Sequence, residues 1–226
     1  MPIADLSRMM QDYLQAIWKA SEWNPGPVSM NELATRLDVT VSTVSSGIKR
    51  LRAEGLVQHE RYGGVELTDT GRAAALEMVR RHRLIETYLV ERLGYSWDEV
   101  HDEAEHLEHA VSDTFVERIA AELGHPTRDP HGDVIPTADG TVPTQQALLL
   151  TTLPVGGAGV VCRISDEHPD VLRYLADRGI GLDVRLQVLG RNDVVGLIEL
   201  QRTVDGDTAA VELVQSAASA IWVVGA

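Results

Sequence analysis

Over the first twenty positions apolar residues recur at three- and four-residue steps, with Leu6, Met9, Met10, Tyr13, Leu14, Ile17 and Trp18 on one side and Asp12 and Gln15 among the others. That period predicts an amphipathic helix from Leu6 to Ala20, ended by the two prolines of NPGP. Ser29 and Glu32 have capping-box spacing and open a short helix that buries Leu33, Ala34 and Leu37. After a tight turn at Asp38 and Val39, another helix begins near Thr40. It buries Val41, Val44, Ile48 and Leu51 and stops at Gly55. LVQHERYGGVELT then alternates about a Gly-Gly turn, the pattern of a β-hairpin, and Thr68, Asp69 and Thr70 start a further helix.

Two short helices joined by about three residues and followed by a hairpin make a winged helix-turn-helix. Its second helix offers Thr40, Ser42, Thr43, Ser45 and Ser46 near its start, where hydroxyls and helix-end amides reach phosphates or base edges. Lys49, Arg50 and Arg52 add the positive charge that a phosphate backbone attracts, and His59 on the wing lies where it could touch phosphate. The same fold also serves protein contacts alone. Hydroxyl-rich helix starts are common caps, so the signal is the ordered set of elements.

Residues 70–93 form a long helix whose apolar positions Leu76, Val79, Leu84, Tyr88 and Leu89 exceed a narrow stripe, which suits a second subunit on part of its surface. His82 and Glu86 lie four apart on it, within reach of one ion or of a surface hydrogen bond. Ser96 and Glu99 then cap the stretch Asp98 to Asp113, DEVHDEAEHLEHAVSD. Laid on one helix, His101, Glu105 and Glu108 share a stripe that His109 adjoins, giving four potential ligands for a divalent first-row metal. An acidic helix of this kind is also an ordinary solvated face. His106 stands just off the stripe, and His125 and His131 in HPTRDPHGDVIP read as loop residues.

IPTADGTVPTQQ is poor in apolar residues and reads as a linker. Beyond it VGGAGVVCRI, VRLQVLGR, VVGLIELQ and AAVELV are β-branched runs between turn signals, and HPDVLRYLADRG is one helix, which together predict a small β-barrel. The expected architecture is mainly α with a C-terminal small β-barrel, in three segments at 1–72, 73–144 and 145–226.

The net charge of −14 changes meaning once it is divided. The first segment carries 8 basic and 9 acidic groups, the second 6 and 15, and the third 6 and 10. Acidity is concentrated around the candidate ligands, where cations offset it, and the helix-turn-helix is close to neutral. The one cysteine, Cys162, cannot pair within the chain and excludes a cysteine-based zinc knuckle. MPIADLSRMM lacks the build of a signal peptide, so a cytoplasmic protein is expected. A metal-dependent hydrolase using the same His and Glu cluster is the competing class, but the sequence shows no separate nucleophile and no HExxH arrangement.

The order DYLQAIW, winged helix, RRHRLIETYL, WDEVHDEAEHLEH and DPHGDVIP resembles the diphtheria toxin repressor family of metal-dependent transcriptional repressors, most of all the three-domain manganese transport regulators. The resemblance covers residues 6–136 with few gaps. It implies a homodimer on double-stranded operator DNA, no enzymatic activity, no organic cofactor and no membrane, with Mn2+ as activator or, in the iron-sensing branch, Fe2+. It implies one metal site at Asp12, Glu105, Glu108 and His109. It implies another at His82, Glu86 and His101 with an oxygen ligand from an SH3-like (FeoA-like) third domain, aligned to Asp166 with Glu167 and Asp170 as neighbours. Asp12 and Glu105 stand where the iron-sensing branch has Met and Cys, and two carboxylates favour Mn2+. Gln15 departs from the two-domain manganese regulators, which have Glu there, and this counts against their paired-manganese arrangement.

Overall fold

Ser7 leads into α1 (Arg8–Glu22), whose buried face carries Tyr13, Leu14, Ala16, Ile17, Trp18 and Ala20. The computed structural model describes residues 3–23, 26–60, 63–144 and 146–225. Asn24 and Pro25 of the NPGP loop, Arg61 and Tyr62 before the Gly-Gly turn, and Gln145 of the linker lie outside the described residues. Contacts divide the chain into two units, Met1–His82 with Leu107–Val116 and Ile135–Val142, and Arg83–His106 with Glu117–Val134 and Pro143–Ala226.

In the first unit, Ser29 caps α2 (Met30–Arg36) by accepting from the Glu32 amide, and Thr40 caps α3 (Val41–Ala53) by accepting from the Thr43 amide. Both caps are the ones their spacing predicts. Asp38 takes a left-handed φ of 48° in the turn between them. Val41 is 44% exposed, against expectation. It is the first residue of α3, whose buried side begins at Val44. The wing pairs β1 (Val57–His59) with β2 (Val65–Leu67) in antiparallel register, Val57 opposite Leu67. The long helix α4 (Asp69–Leu93) follows. Its start is pressed onto the wing: a Cβ on Gly71 would come within 1.8 Å of the Leu56 carbonyl oxygen. Leu14, Ile17, Leu33, Ile48, Leu51, Leu56 and Met78 make the core here.

The Asp98 to Asp113 stretch is not one helix. α5 (Val100–Leu107) stops after two turns, and a separate helix, α6 (Asp113–Glu122), begins where the sequence reading ended.

The second unit contains a six-stranded antiparallel sheet in the order β3 (Leu148–Leu149), β8 (Ile221–Gly225), β4 (Ala158–Ile164), β5 (Arg185–Asn192), β6 (Leu197–Val204), β7 (Asp207–Val214). α7 (Pro169–Ala176) follows β4, and a four-residue α8 (Gln215–Ala218) precedes β8. Leu150, Ile164, Leu172, Leu186, Leu200, Leu213 and Ile221 fill its core. The four strand runs and the helix α7 sit where the sequence puts them, whereas β3 and β8 lie outside the predicted runs. The expected barrel is open, since β3 and β7 end the strand order unpaired with each other among the described residues. A two-residue edge strand has too few ladder groups to close it.

Candidate metal centre and nucleic-acid face

The break after α5 decides where the candidate ligands go. Amides of Ala110 and Val111 fold back onto the Leu107 carbonyl, at 2.9 and 3.1 Å. The buried Arg81 guanidinium donates to the carbonyls of Glu108 (3.4 Å) and Val111 (3.0 Å) and pairs with Asp113. These orphan carbonyls are satisfied from α4 rather than by a longer helix. Glu108 and His109 therefore sit in a turn, and the single stripe of four ligands does not form.

In the first unit His109 Nε2 stands 2.8 Å from Asp12 Oδ1 and 3.4 Å from Glu108 Oε1. Ligand atoms of Asp12, Glu108 and His109 lie within 4.8 Å of one another. Glu108 is 1% exposed. Its other oxygen accepts from His82 Nδ1 at 2.6 Å and from Gln15 Nε2 at 3.3 Å, which leaves Oε1 toward Asp12 and His109. Gln15, the departure noted in the sequence, is thus a neutral donor to this carboxylate. The His109 Nδ1 donates to Gln11 Oε1 at 2.7 Å.

In the second unit His101 Nδ1 lies 3.1 Å from Glu86 Oε1 and 3.3 Å from Asp166 Oδ2. The exposed Glu105 has its carboxylate 3.3 Å from His101 Nε2. Of the three acidic candidates after β4, Asp166 is the one on His101, and the exposed Asp170 bonds Arg173. Ligand atoms of Glu86, Asp166 and His131 also fall within 4.8 Å of one another. His131 is therefore not a plain loop residue. It is fully buried, donates from Nε2 to the Trp97 carbonyl at 2.6 Å, and leaves Nδ1 with no hydrogen-bond partner among the described residues.

The DPHGD turn that carries His131 is held tightly. Asp129 Oδ1 accepts from the amides of His131 and Asp133, each at 2.9 Å, and the Ile164 amide donates to the His131 carbonyl. Gly132 has φ +91°, and a Cβ there would come within 2.0 Å of the Cys162 carbonyl oxygen. Buried Arg83 lies 3.6 Å from Asp129 and 3.5 Å from Asp133, and buried Arg163 donates to Asp133 at 2.6 Å. Burial, and then the charges of Asp133 and Glu86, push Asp129 up to about 7. Burial pulls the His131 pKa down, but Glu86, Asp129 and Asp166, with the Trp97 carbonyl, overcome it and leave it above its ordinary value. The same carboxylates would also attract a cation.

Both groups fit a hard divalent ion. They offer carboxylate oxygens and imidazole nitrogens, while Cys162 is buried with its Sγ toward the Trp222 carbonyl. The buried His131 Nδ1, without a hydrogen-bond partner among the described residues and close to the carboxylates of Glu86 and Asp166, is a costly group that a cation would satisfy. Among the other histidines, exposed His106 bonds the Asp102 carbonyl, and His125 takes a left-handed φ of 57° beyond α6.

The exposed face of α3 gathers Thr40, Ser42, Thr43, Ser46, Lys49 and Arg50. Thr40 Oγ1 lies 2.8 Å from Ser42 Oγ and 2.9 Å from Thr43 Oγ1, and Ser46 bonds the Ser42 carbonyl. Ser42, Thr43, Ser46, Gly47 and Arg50 line a shallow hollow with Met9. Polar hydroxyls beside two bases suit a groove of nucleic acid.

Three family models match the chain. Residues 5–65 match the iron dependent repressor N-terminal DNA binding domain, residues 68–137 its metal binding and dimerisation domain, and residues 148–224 the FeoA domain. The iron-dependent repressor IdeR of Mycobacterium leprae (strain TN) is 33% identical over 196 residues, 81% of this chain and 85% of the relative. A solved manganese-dependent transcriptional repressor in complex with manganese is 55% identical, with a TM-score of 0.91 over 96% of this chain and 100% of that one. The crystal structure of ScaR with bound Cd2+ is 34% identical, with a TM-score of 0.79 over 96% of this chain and 99% of that one. Among the described residues no helix is long and apolar enough to cross a membrane. The chain belongs to the diphtheria toxin repressor family of metal-dependent transcriptional repressors, DNA-binding regulators rather than enzymes.

Proposed function

We propose that this chain is a manganese-responsive repressor that binds palindromic operator DNA as a homodimer and controls metal-transport genes. The carrying observation is the meeting of Asp12 on α1 with Glu108 and His109 on the turn after α5, all oxygen and imidazole donors. In this reading residues 1–72 bind DNA, residues 73–144 sense metal and dimerise, and residues 145–226 supply Asp166. Asp12, Glu108 and His109 hold one ion, and Glu86, His101, Asp166 and His131 hold another. Glu105, which the resemblance implies for the first set, lies against His101, and His82, which it implies for the second, bonds Glu108.

When bound, Mn2+ supplies positive charge that carboxylates otherwise crowded together share. Without that charge Asp12 and Glu108 repel, which loosens the link between α1 and the turn after α5. Joined through a shared cation, they fix the DNA-binding elements and raise the population of the spacing at which two α3 helices enter successive major grooves, roughly 34 Å apart. Operator DNA then tightens metal binding by the same factor. Thr40, Ser42, Thr43 and Ser46 meet the groove, and Lys49 and Arg50 meet phosphate.

Iron(II) activation is the second reading, favoured by the iron-dependent repressors among the sequence relatives. Operator binding measured across titrations of Mn2+ and anaerobic Fe2+ separates them. Binding at lower free Mn2+ than Fe2+ supports manganese, the reverse order supports iron, and metal-independent binding removes the sensor.

A further inference from the structure

Glu108 is oriented by His82 and Gln15, and His109 by Gln11. Its amide nitrogen donates to the carbonyls of Ile3 (2.9 Å) and Leu6 (3.1 Å). Both amide hydrogens are therefore used, and only Oε1 is left to face the imidazole. Turning the amide over would set its oxygen against two carbonyl oxygens. An oxygen 2.7 Å from Nδ1 requires that Nδ1 carry the hydrogen. In the neutral imidazole Nε2 then carries the lone pair, and it is the nitrogen that faces Asp12 and Glu108, where a cation would take it.

We propose that Gln11 is a positioning residue that locks His109 as the Nδ1–H tautomer with Nε2 aimed at the metal, through an amide whose own orientation is fixed by the Ile3 and Leu6 carbonyls. The inference rests on the metal reading of the Asp12 group. A histidine ligand whose second nitrogen has a fixed acceptor is more basic and loses less freedom on binding, and losing such a partner typically costs about 10–100-fold in metal affinity.

The test uses the full chain, with Mn2+ affinity at each site by calorimetry and the His109 imidazole N–H by nitrogen-15 NMR in the Cd2+-loaded protein, Cd2+ being diamagnetic. Gln11→Leu removes the acceptor and both donors, whereas Gln11→Glu removes the donors and keeps an acceptor. The expected result is a loss of about 10–100-fold in Mn2+ affinity at the Asp12 site alone for Gln11→Leu, with the protected N–H gone. Gln11→Glu keeps an acceptor for Nδ1–H but sets its second oxygen against the Ile3 and Leu6 carbonyls, so it is expected to keep the N–H signal with a smaller loss of Mn2+ affinity than Gln11→Leu. The proposal is overturned if Gln11→Leu keeps both, or if Gln11→Glu, which still offers an oxygen to Nδ1, loses the N–H signal. Should Gln11→Leu not fold, Gln11→Glu alone decides by its N–H signal. Asp12→Ala separates the two levels: unchanged Mn2+ binding in that variant defeats the metal reading, while lost binding there with none lost in Gln11→Leu defeats only the role of Gln11.

Discussion

His82 Nδ1 lies 2.6 Å from Glu108 Oε2, and both side chains are 1% exposed. A buried carboxylate at this depth needs its donors, and removing one leaves an uncompensated polar group at a cost of roughly 3–5 kcal/mol. His82→Ala is expected to lower stability on that scale in metal-free protein. Glu108→Gln keeps the shape and is expected to cost less stability while abolishing Mn2+ binding at the Asp12 group. Thermal melts and calorimetry on both variants check the contrast.

The DPHGD turn gives a steric prediction. Gly132 combines a left-handed φ with a carbonyl 2.0 Å from where its Cβ would stand, so Gly132→Ala must displace the turn from β4. A loss of about 2 kcal/mol or more is expected from the backbone strain and the clash together. His131 moves with the turn. Metal stoichiometry should therefore fall at the Glu86 group while the Asp12 group keeps its ion.

Protonation sets the pH dependence of the same group. Asp129 and His131 both have pKa values raised in the folded protein, Asp129 to about 7. A raised folded pKa gives stability that is present below the unfolded value and lost as pH rises through the folded one. Metal-free protein should therefore melt at lower temperature near pH 8 than near pH 5, and Asp129→Asn should flatten that slope. Mn2+ affinity should move the other way, rising with pH as His131 gives up its proton to become a ligand. Calorimetry in buffers of different ionisation enthalpy should show protons released on binding, more of them as the pH is lowered.

Lys49 and Arg50 are both exposed on α3. If each neutralises one phosphate, Lys49→Ala and Arg50→Ala should each lower the slope of log affinity against log salt by about 1. The loss should be similar on all sequences for a phosphate contact. A loss confined to the operator would mark a base contact, read from the same fluorescence titrations.

Local chemistry made much of the fold legible. Ser29 and Thr40 cap the helices their spacing predicts, because capping depends on residues three apart. The stop after Leu107 was not legible, since the carbonyls of Glu108 and Val111 are taken by Arg81 from about thirty residues earlier. A stripe drawn on an ideal helix cannot anticipate that partner. The surroundings of His131 are not legible for the same reason. Its place depends on Gly132 meeting Cys162 and on Ile164 bonding its carbonyl, contacts over about thirty residues. Asp166, chosen from three neighbours, does stand on His101, and Asp12 does stand on His109. β8 carries an apolar run, IWVVG, whose pairing with both β3 and β4 makes it an inner strand, and the strand reading stopped short of it.

The most direct measurement is operator affinity against free Mn2+ for the wild-type chain and for Asp12→Ala. If α1 is fixed through Asp12, Glu108 and His109, the wild type should gain operator affinity as Mn2+ rises, and Asp12→Ala should gain little at any concentration while keeping its fold. Equal gains in the two proteins would contradict the account.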